Sequence, residues 1–166
     1  MNNPIVIGNL VSLFGCVLMV LTGFLRNRKT ILTVQCVQFG FLATANLILG
    51  GVTGFVSGTI SILRNLVFFN GRKSTLLKIL FISVQILLSL NHLHSLIEWF
   101  PIFSAVIYTW FLDTENPIVL KGSIMGAQAL WLIYDLIYQN YTAAFFDAFT
   151  ILSNIIGILI VRKASK

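Results

Sequence analysis

Apolar runs dominate this chain, and short polar breaks divide them into seven. A membrane-spanning helix takes about 20 mostly apolar residues, and the runs at 5–25, 30–50, 52–70, 75–91, 95–112, 118–139 and 141–161 lie near that length. The breaks fall at 26–29, Gly50-Gly51, 70–73, 91–95, 113–117 and Gln139-Asn140. Connections this short lay successive helices antiparallel beside one another. The pattern predicts an all-α integral membrane fold of seven transmembrane helices.

The chain repeats itself at an offset of 89 residues. Residues 46–65 and 135–154 align without gaps, with identities at Leu47/Leu136, Ile48/Ile137, Thr53/Thr142, Ile62/Ile151, Leu63/Leu152 and Asn65/Asn154. Asn46/Asp135 and Ser61/Thr150 are close pairs, and Phe14/Phe103, Val17/Val106 and Asn27/Asn116 keep the register upstream. Apolar identities arise easily by chance, but one constant offset with polar positions in step indicates a duplication. Helices one to three and five to seven are then the copies. A fourth helix brings the second copy in with the same orientation, so the repeat is parallel, 3+1+3. The predicted units are 1–73, a first three-helix bundle; 74–94, a linker helix; and 95–166, a second bundle.

Composition agrees. Of 166 residues, 57% are hydrophobic and 10% charged, and mean hydropathy is +0.93; a soluble domain has about 25% charged residues. The net charge of +6 is clustered, which speaks against nucleic-acid binding. Arg26, Arg28, Lys29, Arg72, Lys73, Lys78, Lys121, Arg162, Lys163 and Lys166 fall at alternate helix ends, and the opposite loops have no Lys or Arg. By the positive-inside rule the N-terminus is outside and the C-terminus cytoplasmic. The N-terminus lacks a basic leader and reads as a retained first helix. Cys16 and Cys36 lie in apolar runs, where they pack as small hydrophobes and imply no disulfide.

Candidate chemistry is confined to polar residues within the runs. Gly58, Ser61 and Asn65, and likewise Asp147, Thr150 and Asn154, follow the i, i+3, i+7 spacing of one helix face. Facing amides at Asn65 and Asn154 would suit an uncharged polar group, or would bond neighbouring helices. Asp147 and Asp135 are carboxylates at membrane depth, each costing on the order of 2.5–3.5 kcal/mol if left bare, so they face a cavity or a partner. Their counterparts Gly58 and Asn46 leave the second half the more anionic one, which would suit a cationic or proton-coupled substrate. Trp131, on a face with Gln128 and Asp135, would stack a flat ring or sugar face. Trp99 and Trp110 suit an interfacial belt. Gln35 and Gln38 line a path or bond neighbouring helices.

Arg64 snorkels to the interface, or meets an anionic substrate group or closes an inner gate. Pro101 is a hinge or an ordinary first-turn proline, and Gly54/Gly58 and Gly122/Gly126 are GxxxG pairs suited to close packing. His92, His94 and Glu98 read as a solvated loop rather than a metal site. There is no P-loop, no nucleophile beside a base, and no Cys/His metal spacing; neither an enzyme nor a cofactor is expected.

The runs ANLILGGVTGFVSGTISILRNLV (45–67), FPIFSAVIYTWF (100–111) and DLIYQNYTAAFFDAFTILSNIIG (135–157) resemble the bacterial inner-membrane YgjV family, over nearly the whole chain. That family is grouped with the SWEET, PQ-loop and PnuC transporters. The resemblance implies two three-helix bundles joined by a linker, small-molecule transport and the cytoplasmic membrane of a bacterium. In SWEET facilitators an asparagine on the third helix of each half contacts substrate, which points to Asn65 and Asn154. No Pro-Gln pair is present, and of four gating prolines only Pro101 has a counterpart, so proline gating does not carry over.

The leading expectation is a facilitator or ion-coupled transporter with substrate at Asn65, Asn154, Asp147, Thr150, Ser61 and Trp131, and gating or coupling at Asp135, Asn46, Arg64 and Pro101. The alternatives are a substrate-binding membrane subunit of an ATP-driven vitamin transporter, and a non-transporting scaffold or lipid-binding protein. Expected partners are the lipid bilayer and a small polar or aromatic solute; a homo-oligomer is compatible with this architecture.

Overall fold

The computed structural model describes residues 3–22, 28–69, 74–111, 114 and 116–164. Among them are seven α-helices and no strand: α1 (Asn3–Thr22), α2 (Arg28–Ile48), α3 (Val52–Phe68), α4 (Thr75–Ser89), α5 (Phe100–Phe111), α6 (Pro117–Ile137) and α7 (Tyr141–Ala164). Arg26, Asn27, Arg72, Lys73, Asp113, Glu115 and Lys166, which entered the reading of breaks, repeat and charge, lie outside the described residues.

Local chemistry sets the boundaries. Ser74 caps α4 by accepting from the Leu77 amide at 3.4 Å. Asn116 caps α6 by accepting from the Ile118 and Val119 amides, and Pro117 takes the first position, where its missing N–H costs nothing. The α2–α3 and α6–α7 turns share one geometry at corresponding positions. Gly50 and Gln139 both have positive φ, 87° and 59°. The amides of Gly51 and Asn140 each reach back five residues, to the Asn46 and Asp135 carbonyls at 2.8 Å.

The fifth run departs from expectation. Residues 90–92 and 96–99 form 3-10 turns, and α5 begins at Phe100 rather than 95. Pro101 therefore sits in the first turn, where it breaks no helical hydrogen bond. It introduces no mid-helix hinge.

Packing joins the helices in a closed ring. α2 lies between α1 and α3, α6 lies between α5 and α7, and the ring closes through α1–α7 and α3–α5 contacts. α4 packs against α3 and α5. One end of the ring carries Asn9, the two positive-φ turns and Glu98; we call it the turn end. Helix order places Lys29, Lys78, Lys121 and Lys163 toward the other, basic end.

The distribution of side chains is inverted relative to a water-soluble core. Among the described residues, more of the buried side chains are polar than apolar, while Leu10, Phe14, Leu76, Leu87, Phe145 and Ile156 are exposed. Such a surface is one that a bilayer covers. By length and composition, Asn3–Leu21 and Thr75–His92 are sufficient to cross a membrane, and the other apolar helical segments are shorter. Polar residues such as Arg64 and Asp147 interrupt the apolar runs where they turn inward. Gly58 lets α3 approach α2, since a Cβ there would stand 2.7 Å from that of Ala43. Gly122 has nothing within 4 Å and Gly126 only the Ile107 Cδ1 at 4.0 Å, so that second pair is not a close-packing face.

Candidate functional site

A cavity of about 560 Å³ occupies the centre of the ring, with walls from α1, α2, α3, α5, α6 and α7. The α3 wall is Gly54, Ser57, Gly58, Ser61 and Arg64, and the α7 wall includes Ala143, Asp147, Thr150, Ser153 and Asn154 beside Phe149. Steps of three and four residues keep one stripe of each helix facing inward. Asn46, Trp131 and Asp135 also line it. Thr150 and Asn154 are satisfied within α7, the Thr150 hydroxyl donating to the Phe146 carbonyl and the Asn154 amide to that of Thr150, both at 2.8 Å.

Two expected positions are not on the wall. Asn65 is fully buried, and its Nδ2 donates to Gln35 Oε1 at 3.1 Å. One residue is about 100° of helix rotation, which turns Asn65 toward α2 while Arg64 takes the inward stripe. The expected pair of facing asparagines is therefore replaced by Arg64 and Asn154. Pro101 lies behind the wall, its carbonyl accepting from Ser57 Oγ and Gln85 Nε2, each at 3.3 Å.

Arg64 does not snorkel. It is 2% exposed, and its partners are uncharged: Nη1 donates to Thr109 Oγ1 at 3.0 Å, Nη2 to Asn65 Oδ1 at 3.3 Å, and the guanidinium lies 4.9 Å from the Tyr108 ring centre. Its Nε has no hydrogen-bond partner.

Asp135 and Asp147 are both buried and both line the cavity. Asn140 organises this region: its Nδ2 donates to Asp135 Oδ1 at 3.3 Å, and its Oδ1 accepts from Ser12 Oγ at 2.7 Å and from the Ala143 amide at 3.4 Å. One side chain thus caps α7, ties it to α1 and orients a carboxyl group. Its place just before an apolar helix is the sequence signal for such a cap.

Above this level the turn end is closed by a chain of hydrogen bonds. The Gly54 amide donates to Tyr134 Oη at 2.9 Å, and Tyr134 Oη lies 3.1 Å from Thr53 Oγ1. Thr53 and Tyr138 both donate to the Glu98 carboxylate. Since Thr53 gives its one proton to Glu98, it accepts from Tyr134. Gly51 makes room, because a Cβ there would stand 2.5 Å from the Tyr134 hydroxyl. Glu98 is thus a buckle joining α3 to the α6–α7 turn, not part of a solvated loop. At the matching seam Asn9 donates to the Gln139 carbonyl at 2.8 Å and accepts from the Thr142 amide at 2.9 Å. At the opposite end Lys121 and Ser153 line the cavity, and Ser153 is exposed.

Neither a curated protein nor a solved structure matches the chain. A family model described as a bacterial inner membrane protein, Imp-YgjV, matches residues 6–165. That span takes in every helix that builds the cavity, and the chain belongs to the Imp-YgjV family of bacterial inner membrane proteins.

Proposed function

We propose that this protein is a multi-pass, small-solute transporter that works by alternating access, with its N-terminus outside and its C-terminus in the cytoplasm. The observation that carries the reading is the central cavity, which gathers polar side chains from five of the six helices that line it, in a membrane protein. Such groups are costly in hydrocarbon and are retained where they face a solute path. A scaffold would seal its polar faces against each other.

The parallel 3+1+3 repeat supports the same reading. The matched turns, the matched seams at Asn9/Thr142 and Glu98/Thr53, and the central places of α2 and α6 all follow the 89-residue offset. Internal repeats with a binding site at their interface are a transporter architecture, and this arrangement is the one that likeness to SWEET proteins would give. The closed turn end and the exposed Ser153 correspond to an inward-facing state.

The test is uptake into proteoliposomes from a panel of sugars, nucleosides, vitamins, amines and amino acids. Asn154→Ala should abolish or strongly reduce uptake of the solute so found, with a melting temperature near wild type. If Asn154 only braces α7, the variant would instead lose about 1 kcal/mol of stability with uptake intact. Co-purifying ATPase subunits would favour the vitamin-binding alternative, and absence of uptake and binding for the whole panel would favour the scaffold.

A further inference from the structure

We propose that the cavity takes a zwitterionic solute, with its cationic group beside Asp147 and its anionic group at Arg64. The inference rests on the transport reading and names the substrate class of that site.

Five buried side-chain polar atoms lack a hydrogen-bond partner among the described residues, and four belong to residues lining the cavity: Gln38 Oε1, Asn46 Oδ1, Asp147 Oδ2 and Arg64 Nε. These residues are at least 95% buried. A buried polar atom left unpaired is costly, and four of them on residues that line one cavity point to the groups an occupant could supply. Three are acceptors; Gln38 and Asn46 stand eight residues, about 12 Å, apart on α2, and the charged acceptor, Asp147 Oδ2, is the one an ammonium group answers. The fourth is a donor on a guanidinium whose other partners are neutral.

The charges separate along the helices. Asp147 is six residues beyond the start of α7, and Arg64 twelve beyond the start of α3. At about 1.5 Å per residue that is roughly 9 Å along parallel axes. The arginine side chain leans back toward its helix N-terminus, which shortens the gap to the order of 4–9 Å. A neutral polyol would satisfy the acceptors and leave both charges uncompensated. A simple amine or a simple carboxylate would leave one of them so. A solute bearing both ends compensates both, which is where buried charge is most costly.

The test is binding to purified protein in nanodiscs, by calorimetry and thermal shift. The probes are glycine, 4-aminobutyrate, 6-aminohexanoate and glycylglycine, with pentylamine, pentanoate, sucrose and uridine for comparison. At least one zwitterion should bind tenfold or more tightly than either single-charge probe. Asp147→Asn should weaken that zwitterion at least tenfold while leaving pentanoate no weaker. Arg64→Gln should weaken it similarly while sparing pentylamine. Should Arg64→Gln fail to fold, competition of pentylamine and pentanoate against the zwitterion on the unaltered protein reads the same two ends. If no zwitterion binds while sucrose or uridine binds in an Asn154-dependent way, the substrate class is overturned and the transport reading stands. If nothing binds and nothing is taken up, both fall.

Discussion

Removing the Glu98 carboxylate should open the turn end of the protein. Glu98 accepts hydrogen bonds from Thr53 on α3 and from Tyr138 in the α6–α7 turn, so one side chain spans the seam between the two halves. A hydrogen bond to a charged group contributes about 1.5–3 kcal/mol. Only the Thr53 bond crosses between the halves, since Glu98 and Tyr138 both lie in 95–166; Glu98 is half-buried, so the lower end, about 1.5 kcal/mol, applies. At 1.4 kcal/mol per factor of ten, Glu98→Ala should shift the closed-to-open ratio about tenfold. Glu98→Gln should shift it less, because an amide can still accept from one hydroxyl and donate to the other.

The chain carries its own probe. Cys16 is fully buried and lines the cavity, and with Cys36→Ser it is the single thiol in the sequence. The rate at which a membrane-impermeant maleimide modifies Cys16 from outside intact cells reports the open fraction at the turn end. We expect a rise of about tenfold for Glu98→Ala and little change for Glu98→Gln. Labelling in inverted vesicles should fall as outside labelling rises. An unchanged outside rate for a folded Glu98→Ala protein would refute the buckle.

Gly51→Ala should cost about 1–3 kcal/mol, read as a lower melting temperature, since its Cβ would meet the Tyr134 hydroxyl at 2.5 Å. Gly122→Ala, with open space around it, should be neutral or stabilise α6 by up to about 1 kcal/mol through helix propensity. Gln139→Gly should also be neutral or mildly stabilising, because Gln139 holds φ of 59°, a conformation costing a non-glycine residue about 1 kcal/mol. For orientation, a cysteine at Asn3 should be labelled from outside intact cells and one at Ser165 should not; outside labelling at Ser165 would refute the assignment.

Much of this was legible in the sequence because hydrophobicity and periodicity decide it. Helix boundaries follow from Gly, Asn and Pro at the breaks, and most of the inward stripe follows from helical spacing. Asp135 and Asp147 stand out because carboxylates in apolar runs need an answer. Other features depend on three-dimensional neighbours. Asn65 and Arg64 are adjacent in sequence, and which of them faces the cavity is settled by Gln35 on α2 and Thr109 on α5. The role of Glu98 depends on Thr53 and Tyr138, 45 and 40 residues away. The 89-residue offset does carry a hint, since Glu98 is the counterpart of Asn9 and Thr53 that of Thr142.

The same offset explains why the two halves are not equivalent in chemistry. Asn140 and Gly51 are counterparts, as are Tyr134 and Ala45. In the second half an asparagine fills the turn and holds Asp135. In the first half the glycine leaves a gap, and Tyr134 crosses from the second half to fill it. The ring is therefore fastened at both seams from the turn end, by Asn9 on one side and by Glu98 with Tyr134 on the other. Under the proposed duplication, the scaffold has two seams that can part together. The carboxyl groups of Asp135 and Asp147 lie in the second proposed half and the Arg64 guanidinium in the first, so the proposed solute, touching both charges, would bridge the halves. In the proposed transport cycle such bridging would couple occupancy to their relative movement, and a site built from one half alone would lack that coupling.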